Sequence, residues 1–241
     1  MSPSAPAATS QEARFKWAYT GARPDLLALV PADARRFLDV GCATGAFGTA
    51  IKAERAGSSV VGVEADPEMA ALAEERLDRV LAEPVEQALE ALAGERFDCV
   101  VCGDVLEHLA DPWGVLRALV GLLDEGGSVV ASLPNAGHLD TLVNLAFRRR
   151  WPYRERGIHD ETHLRFFALA NVRALFAQAG LEVVALRRHY RIVERPHRLN
   201  RLAPLLALPG LRELVAFQYL VLAKPGRPSP PARWTLPSDA A

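Results

Sequence analysis

The sequence predicts an α/β domain: a Rossmann-like, doubly wound sheet of seven mostly parallel strands with an antiparallel last strand and helices on both faces. Three observations lead there. Short apolar runs alternate with stretches of helical spacing, the order that builds parallel strands joined by crossover helices. Runs such as VVGV (60–63) and DCVVC (98–102) are apolar at successive positions, as strands covered on both faces are. The first run closes on a glycine-rich turn, and the second closes on an acid about 20 residues later.

In chain order, RFLDVG (36–41) is the first strand, and AFGTAIKAERAG (46–57) follows with helical spacing and a terminal glycine. SVVGVE (59–64) is the second strand. The next helix, 66–78, opens with Asp66 as N-cap and Pro67 at the first helical position. RVLA (79–82) is a short strand and VEQALEALAG (85–94) a helix. FDCVVCG (97–103), the capped helix 111–127 and the strand SVVASLP (128–134) come next. Residues 135–167 carry aromatics, arginines and histidines without a clear strand, and are read as an acceptor-side cap. A helix at 168–180 precedes two further strands, LEVVALR (181–187) and VAFQYLVLA (215–223). The arginine- and proline-rich stretch between them is read as a packed helical insert, a reading preferred to a membrane-surface helix.

The chain has 241 residues, half of them apolar, enough for one large domain with a packed core. That domain is expected over 12–224, between a small, polar N-terminal tail (1–11) and a proline-rich C-terminal one (225–241). The net charge of -1 gives no electrostatic case for bulk nucleic-acid binding. The N-terminus lacks a charged-then-apolar leader, and no apolar stretch approaches the roughly 20 residues of a membrane span, so the expected compartment is the cytoplasm. Cys99 and Cys102 form a C-x-x-C, but both lie in an apolar strand with no second cysteine pair, so they read as core residues.

In an open α/β sheet the ligand binds where the strands end. The first strand closes with Asp39, Val40, Gly41, Cys42, Ala43, Thr44 and Gly45, and the second with Glu64, an acid able to accept both ribose hydroxyls. A dinucleotide fingerprint would fall on Gly41, Ala43 and Ala46; its middle glycine, which admits a pyrophosphate, is Ala43 here. No G-K-[ST] follows, so the turn is not a phosphate loop. S-adenosylmethionine carries no phosphate and shares the remaining geometry.

LDVGCATG, VVGVEAD, FDCVVCGDVLEHLADP and LDEGGSVVASLPN together resemble the class I S-adenosylmethionine-dependent methyltransferases, over about residues 15–223. RPDLL (23–27), DVLEHL (104–109) and THLRFF (162–167) are similar to a bacterial group linked with polysaccharide and glycosyl-transfer loci. SLPNAGH (132–138) resembles the MetW relatives of methionine biosynthesis. The resemblance implies that Asp39, Gly41 and Gly45 hold the methionine part of the cofactor, with Cys42 and Ala43 also binding it, and Glu64 its ribose. It further implies that Ala65 and Glu83 meet the adenine, and that Asp104 lies beside the methionine. Ala43 replaces a usual glycine, Glu83-Pro84 replaces a Gly-Asp-like context, and His159 stands where that group more often has an aliphatic residue.

Methyl transfer to an alcohol needs a base, and histidine is the commonest near neutral pH. His108 and His163, with Asp104, are the catalytic candidates; His159, His163, Arg165, Trp151 and Tyr153 are candidates to contact the acceptor. Asp104, Glu107 and His108 stand at i, i+3 and i+4, and with His163 they resemble the E-x-x-E-H pattern of ubiquinone-type O-methyltransferases and small-RNA 2′-O-methyltransferases. The first acid is a shorter Asp that the cofactor also claims, so no metal ligand is assigned. The basic aromatic cluster at 148–154 suits either an acidic acceptor or a solvated helix end. The expected function is methyl transfer from S-adenosylmethionine to a hydroxyl of a small-molecule or glycan-like acceptor. The alternatives are an RNA 2′-O-methyltransferase and a non-catalytic cofactor-binding partner protein; a homodimer is also considered.

Overall fold

A computed structural model of the protein describes residues 21–195 and 197–226. The tail expected at 1–11 lies outside the described residues, as does 227–241 of the tail expected from 225.

Seven strands form one sheet: β1 (Arg36–Val40), β2 (Ser59–Val63), β3 (Arg79–Leu81), β4 (Phe97–Gly103), β5 (Leu123–Pro134), β6 (Leu181–Tyr190) and β7 (Ala216–Pro225). Their order is β3-β2-β1-β4-β5-β7-β6. The first five strands pair in parallel, and β7 runs antiparallel between β5 and β6. Successive crossovers carry the chain outward from β1 to β3, then back to β4 on the other side. The order therefore reverses between β1 and β4, which opens a crevice at their carboxyl ends.

The helices are α1 (Pro24–Leu27), α2 (Ala46–Glu54), α3 (Pro67–Glu74), α4 (Val85–Ala91), α5 (Pro112–Val120), α6 (Leu139–Arg148), α7 (Leu169–Gln178) and α8 (Arg212–Val215). Alternate strand residues feed two cores. Leu38, Val100, Val129 and Val221 pack on one face with α4, α5 and α7 residues such as Ala88, Leu116 and Val172. Phe37, Cys99, Val101 and Val130 pack on the other with Leu26, Ile51 and Ala73 of α1, α2 and α3. Cys99 and Cys102 are fully buried on opposite faces and cannot share a ligand.

Two expectations need revision. The helix read over 111–127 stops at Val120, and β5 begins at Leu123, because Phe97 N–H donates to Leu122 O (2.9 Å) and recruits that segment to the sheet. Segment 135–167, read without regular structure, contains the ten-residue helix α6. Between β6 and β7 the helical insert is a run of 3-10 turns (Arg198–Leu206) followed by α8.

Candidate active site

The turn after β1 is built from the backbone up. Gly41 and Cys42 N–H both donate to Val63 O (2.8 and 3.0 Å), which ties the turn to the end of β2. Gly45 has φ +77°, and a Cβ there would lie 3.2 Å from Ala73 Cα, so glycine is required twice over. Gly62 on β2 is equally constrained: its Cβ would meet Cys42 Sγ at 2.6 Å. Ala43 also takes a left-handed φ of 47°, which costs a residue with a Cβ about 1–2 kcal/mol.

Glu64 closes β2 and faces this turn. One carboxylate oxygen accepts Ala43 N–H (2.8 Å) and the other accepts Asp66 N–H (2.9 Å). A carboxylate offers about four acceptor positions, so two remain for incoming hydroxyls. Ala65 is exposed beside it, and Glu83 follows β3, which is in register with β2 through Val63 and Leu81. Asp39 is buried, and its Oδ2 has no hydrogen-bond partner. Burial, then the charge of Glu64, pushes its pKa up to about 7.

Asp104 ends β4 with a left-handed φ of 57°. Its Oδ2 accepts from Arg23 Nη1 (2.6 Å), and its Oδ1 accepts from Ser132 Oγ (2.8 Å) and from Gln218 Nε2. Arg23 is itself anchored by Asp25 through Nε and Nη2 (3.0 and 2.9 Å). The sequence alone did not single out Arg23, Ser132 or Gln218 as partners of Asp104; they come from α1's N-cap, β5 and β7.

A 3-10 turn (Leu106–His108) leads from Asp104 to the acceptor side. Glu107 O accepts from both Leu164 N and Arg165 N (2.9 Å each), so backbone pairing brings segment 162–167 over the turn. His108 and His163 meet edge to face with ring centroids 4.7 Å apart. His108 Nδ1 lies 3.3 Å from Thr162 O, and His163 Nδ1 lies 3.2 Å from Ile158 O. A carbonyl only accepts, so each Nδ1 carries a proton, and a neutral ring then keeps its lone pair on Nε2. Burial and the neighbouring His108 lower the pKa of His163, which keeps it neutral and able to take a proton. His163 Nε2 stands 3.9 Å from Glu107 Oε1. The Glu107 carboxyl is buried with Oε2 unpartnered, and desolvation raises its pKa well above the usual range.

The remaining acceptor candidates are placed differently. His159 is fully buried, with Nδ1 2.7 Å from Glu194 Oε2 and Nε2 3.0 Å from Thr141 Oγ1. Both ring nitrogens are spent inside the protein, and burial with Arg154 alongside lowers its pKa to about 4. The side chain expected to contact the acceptor is thus enclosed by Glu194, Thr141 and Trp151. Trp151 wedges between His159 and Phe166 (centroids 5.0 and 4.7 Å), with its indole N–H buried and unpartnered. Tyr153 is 72% exposed. Arg165 donates to Ala110 O (3.1 Å from Nε) and lies over the Trp113 ring. Within the basic cluster, Arg154 turns inward to Asp140 and Glu194, whereas Arg148, Arg149 and Arg150 are exposed.

The profile of a family described as "Methyltransferase domain" matches residues 13–186. The chain belongs to this family. Its architecture is that of the class I S-adenosylmethionine-dependent methyltransferases. A ubiquinone biosynthesis O-methyltransferase of Cereibacter sphaeroides is 32% identical over 167 residues, which are 66% of this chain and 65% of that protein. Its counterpart in Xanthomonas campestris pv. campestris is 36% identical over 107 residues, 42% of this chain and 43% of that one. The chain thus spans less than two thirds of the length of these relatives. A solved S-adenosylmethionine-dependent methyltransferase from Archaeoglobus fulgidus shares the fold, with TM-score 0.60 and 18% identity over 85% of this chain and 94% of its own. Among the described residues no helix is long and apolar enough to cross a membrane.

The methyltransferase crevice suits this cofactor on its own terms. S-adenosylmethionine is a cation at its sulfonium and its ammonium, and Asp39, Glu64 and Asp104 stand at or just beyond the carboxyl ends of β1, β2 and β4. The buried Oδ2 of Asp39 has no hydrogen-bond partner, and desolvation and Glu64 outweigh the distant charge of Arg23 in raising its pKa. The spare acceptor positions of Glu64 match two ribose hydroxyls.

Proposed function

We propose that the protein transfers a methyl group from S-adenosylmethionine to a hydroxyl oxygen of a small-molecule or glycan-like acceptor. The observation that carries this reading is the pair of imidazoles, His108 four residues beyond the cofactor-side Asp104 and His163 packed edge to face against it, each with Nδ1 on a backbone carbonyl and Nε2 in no hydrogen bond among the described residues. S-adenosylmethionine supplies an electrophilic methyl carbon when bound. Asp39, Glu64 and the 41–45 turn hold it, with Ala65 and Glu83 on its adenine side. Asp104 is fixed by Arg23, Ser132 and Gln218 and therefore shapes the floor of the site. His163 Nε2 accepts the proton that the acceptor hydroxyl loses as its oxygen meets the methyl carbon. Segment 135–167 covers the acceptor. The word O-methyltransferase in the names of the Cereibacter and Xanthomonas relatives agrees with an oxygen acceptor. The test is calorimetric titration with S-adenosylmethionine, followed by measurement of S-adenosylhomocysteine release with catechol and glycan acceptors. Absence of cofactor binding overturns the proposal, and binding without turnover on any acceptor assigns the chain as a non-catalytic cofactor-binding partner.

A second reading concerns the same imidazoles. Glu107, His108 and His163 bring their ligand atoms within 4.8 Å of one another, and the buried Glu107 oxygen has no partner. Two Nε2 lone pairs and a carboxylate are a donor set for a divalent cation, whose chemistry there is to lower the pKa of a bound hydroxyl. In this reading the raised pKa of Glu107 describes the metal-free protein, and binding releases a proton. Turnover that is unchanged by chelator and by Glu107→Gln rules the cation out.

A further inference from the structure

The two imidazoles of the site have unlike neighbours. His163 Nδ1 faces a carbonyl, Ile158 O at 3.2 Å, and a carbonyl only accepts. His108 Nδ1 faces Thr162 O at 3.3 Å and also the hydroxyl Thr162 Oγ1 at 3.1 Å. A hydroxyl can donate as well as accept. If Thr162 Oγ1 donated to Nδ1, the proton of a neutral ring would sit on Nε2, and the Nε2 lone pair would be lost.

Asp160 settles which way that hydroxyl points. Its Oδ1 accepts from Thr162 Oγ1 (2.7 Å) and from Thr162 N–H (2.9 Å), two donors on one oxygen. The first distance is that of a hydroxyl bonded to a charged carboxylate, and the hydroxyl has one proton to give. With that proton committed to Asp160, Oγ1 turns a lone pair to His108 Nδ1, which is then the donor. Asp160 is buried, and backbone bonds hold the chain on both sides of it. Arg154 N–H donates to His159 O and Glu161 N–H to Arg154 O (2.9 Å each), while His163 N–H donates to Asp160 O (3.2 Å). Two residues past Thr162, Leu164 N–H is tied to Glu107 O, beside His108 itself. Main-chain geometry thus sets the carboxylate, the hydroxyl and the imidazole in one line.

We infer that Asp160 and Thr162 are positioning residues for His108: the carboxylate latches the hydroxyl in its accepting orientation, and the latched hydroxyl keeps the proton on Nδ1 and the lone pair on Nε2. Its effect on turnover rests on the proposed methyl transfer. The tautomer itself is a property of the unliganded protein and is read without acceptor or cofactor.

Long-range proton–nitrogen NMR spectra of protein labelled at histidine, in alkaline buffer where the rings are neutral, report the tautomer, and His108→Gln assigns the signal. The parent should show His108 protonated at Nδ1. Asp160→Ala frees the hydroxyl to donate, so the His108 signal should move toward the Nε2–H form, and kcat should fall by at least about tenfold with KM unchanged. Asp160→Asn keeps an acceptor oxygen and should keep the parent tautomer. The decisive variant also removes the freed hydroxyl. Asp160→Ala, Thr162→Val leaves Nδ1 only the carbonyl of residue 162, and should return the ring to Nδ1–H and recover most of the lost turnover. Thr162 is exposed, so this second change disturbs no core packing. A merely structural Asp160 gives the opposite result, a double variant no better than the single one. A parent His108 protonated at Nε2 overturns the inference. So does an Asp160→Ala spectrum like the parent's, or a double variant whose spectrum stays with that of Asp160→Ala. The expected spectra without turnover on any acceptor support the latch and count against the proposed methyl transfer alone.

Discussion

The turn at 41–45 and the segment 135–167, the proposed cofactor and acceptor sides, are held by different forces. The turn is fixed by backbone geometry: two amides on Val63 O, a left-handed Gly45, and a Gly62 that has no room for a side chain. The segment is tied at its end by backbone pairing to Glu107 O, but its middle is braced by side-chain polarity, through Glu194, Arg154 and His159 packed together below α6. A backbone-built turn is stiff and tolerates few residue types. A polar hub lets the residues above it vary, provided the hub itself stays complete.

The largest test of this contrast is on the acceptor side. His163→Ala should lower turnover by about 10²–10⁴-fold, the usual contribution of a general base, and leave cofactor affinity by calorimetry unchanged. A matching fall in affinity would show that the two sides are not separable. Next, Glu194→Ala removes the carboxylate shared by Arg154 and His159. Breaking a buried pair from one side costs about 3–5 kcal/mol, so urea unfolding should show a loss of that size. A loss under about 1 kcal/mol would mean that the hub does not hold the segment.

These two sides also differ in how much the sequence reveals. Strands covered on both faces appear as unbroken apolar runs, so the sheet and the crevice could be placed from the letters alone. Glu64 stood out because spacing fixes it. Helix α6 did not, because its pattern of apolar residues faces solvent and its cap is His138 rather than a Ser, Thr, Asp or Asn. The partners of Asp104 were equally hidden: Arg23 lies 81 positions away and Gln218 lies 114 away, distances over which local pattern carries no signal. The partners of His159 were hidden for a related reason. A histidine among arginines and aromatics looks the same whether its nitrogens face a ligand or a buried glutamate.

Two smaller effects sharpen the cofactor side. The folded pKa of Asp39, about 7, lies above its ordinary 3.8, so the native state holds the extra proton between those values. The unliganded protein should therefore lose stability as pH rises through that window. A cationic ligand favours the ionised form. S-adenosylmethionine should thus bind more tightly as pH approaches 7 and release a proton, seen by calorimetry in buffers of different ionisation enthalpy. Asp39→Asn should abolish that proton release. The smallest effect is Ala43→Gly, which relieves a left-handed alanine and should raise stability by up to about 1 kcal/mol, read as a higher melting temperature.

The place of β7 in the sheet has a consequence for biosynthesis. It slots between β5 and β6 although it is the last described strand to leave the ribosome, so β5 waits with an unsealed edge while more than eighty residues are made. Gln218 rides on that strand and grips Asp104. The floor of the crevice is thus finished only after β7 has emerged, and a polypeptide stalled or cut before that strand would expose a sticky border before it could hold a nucleoside.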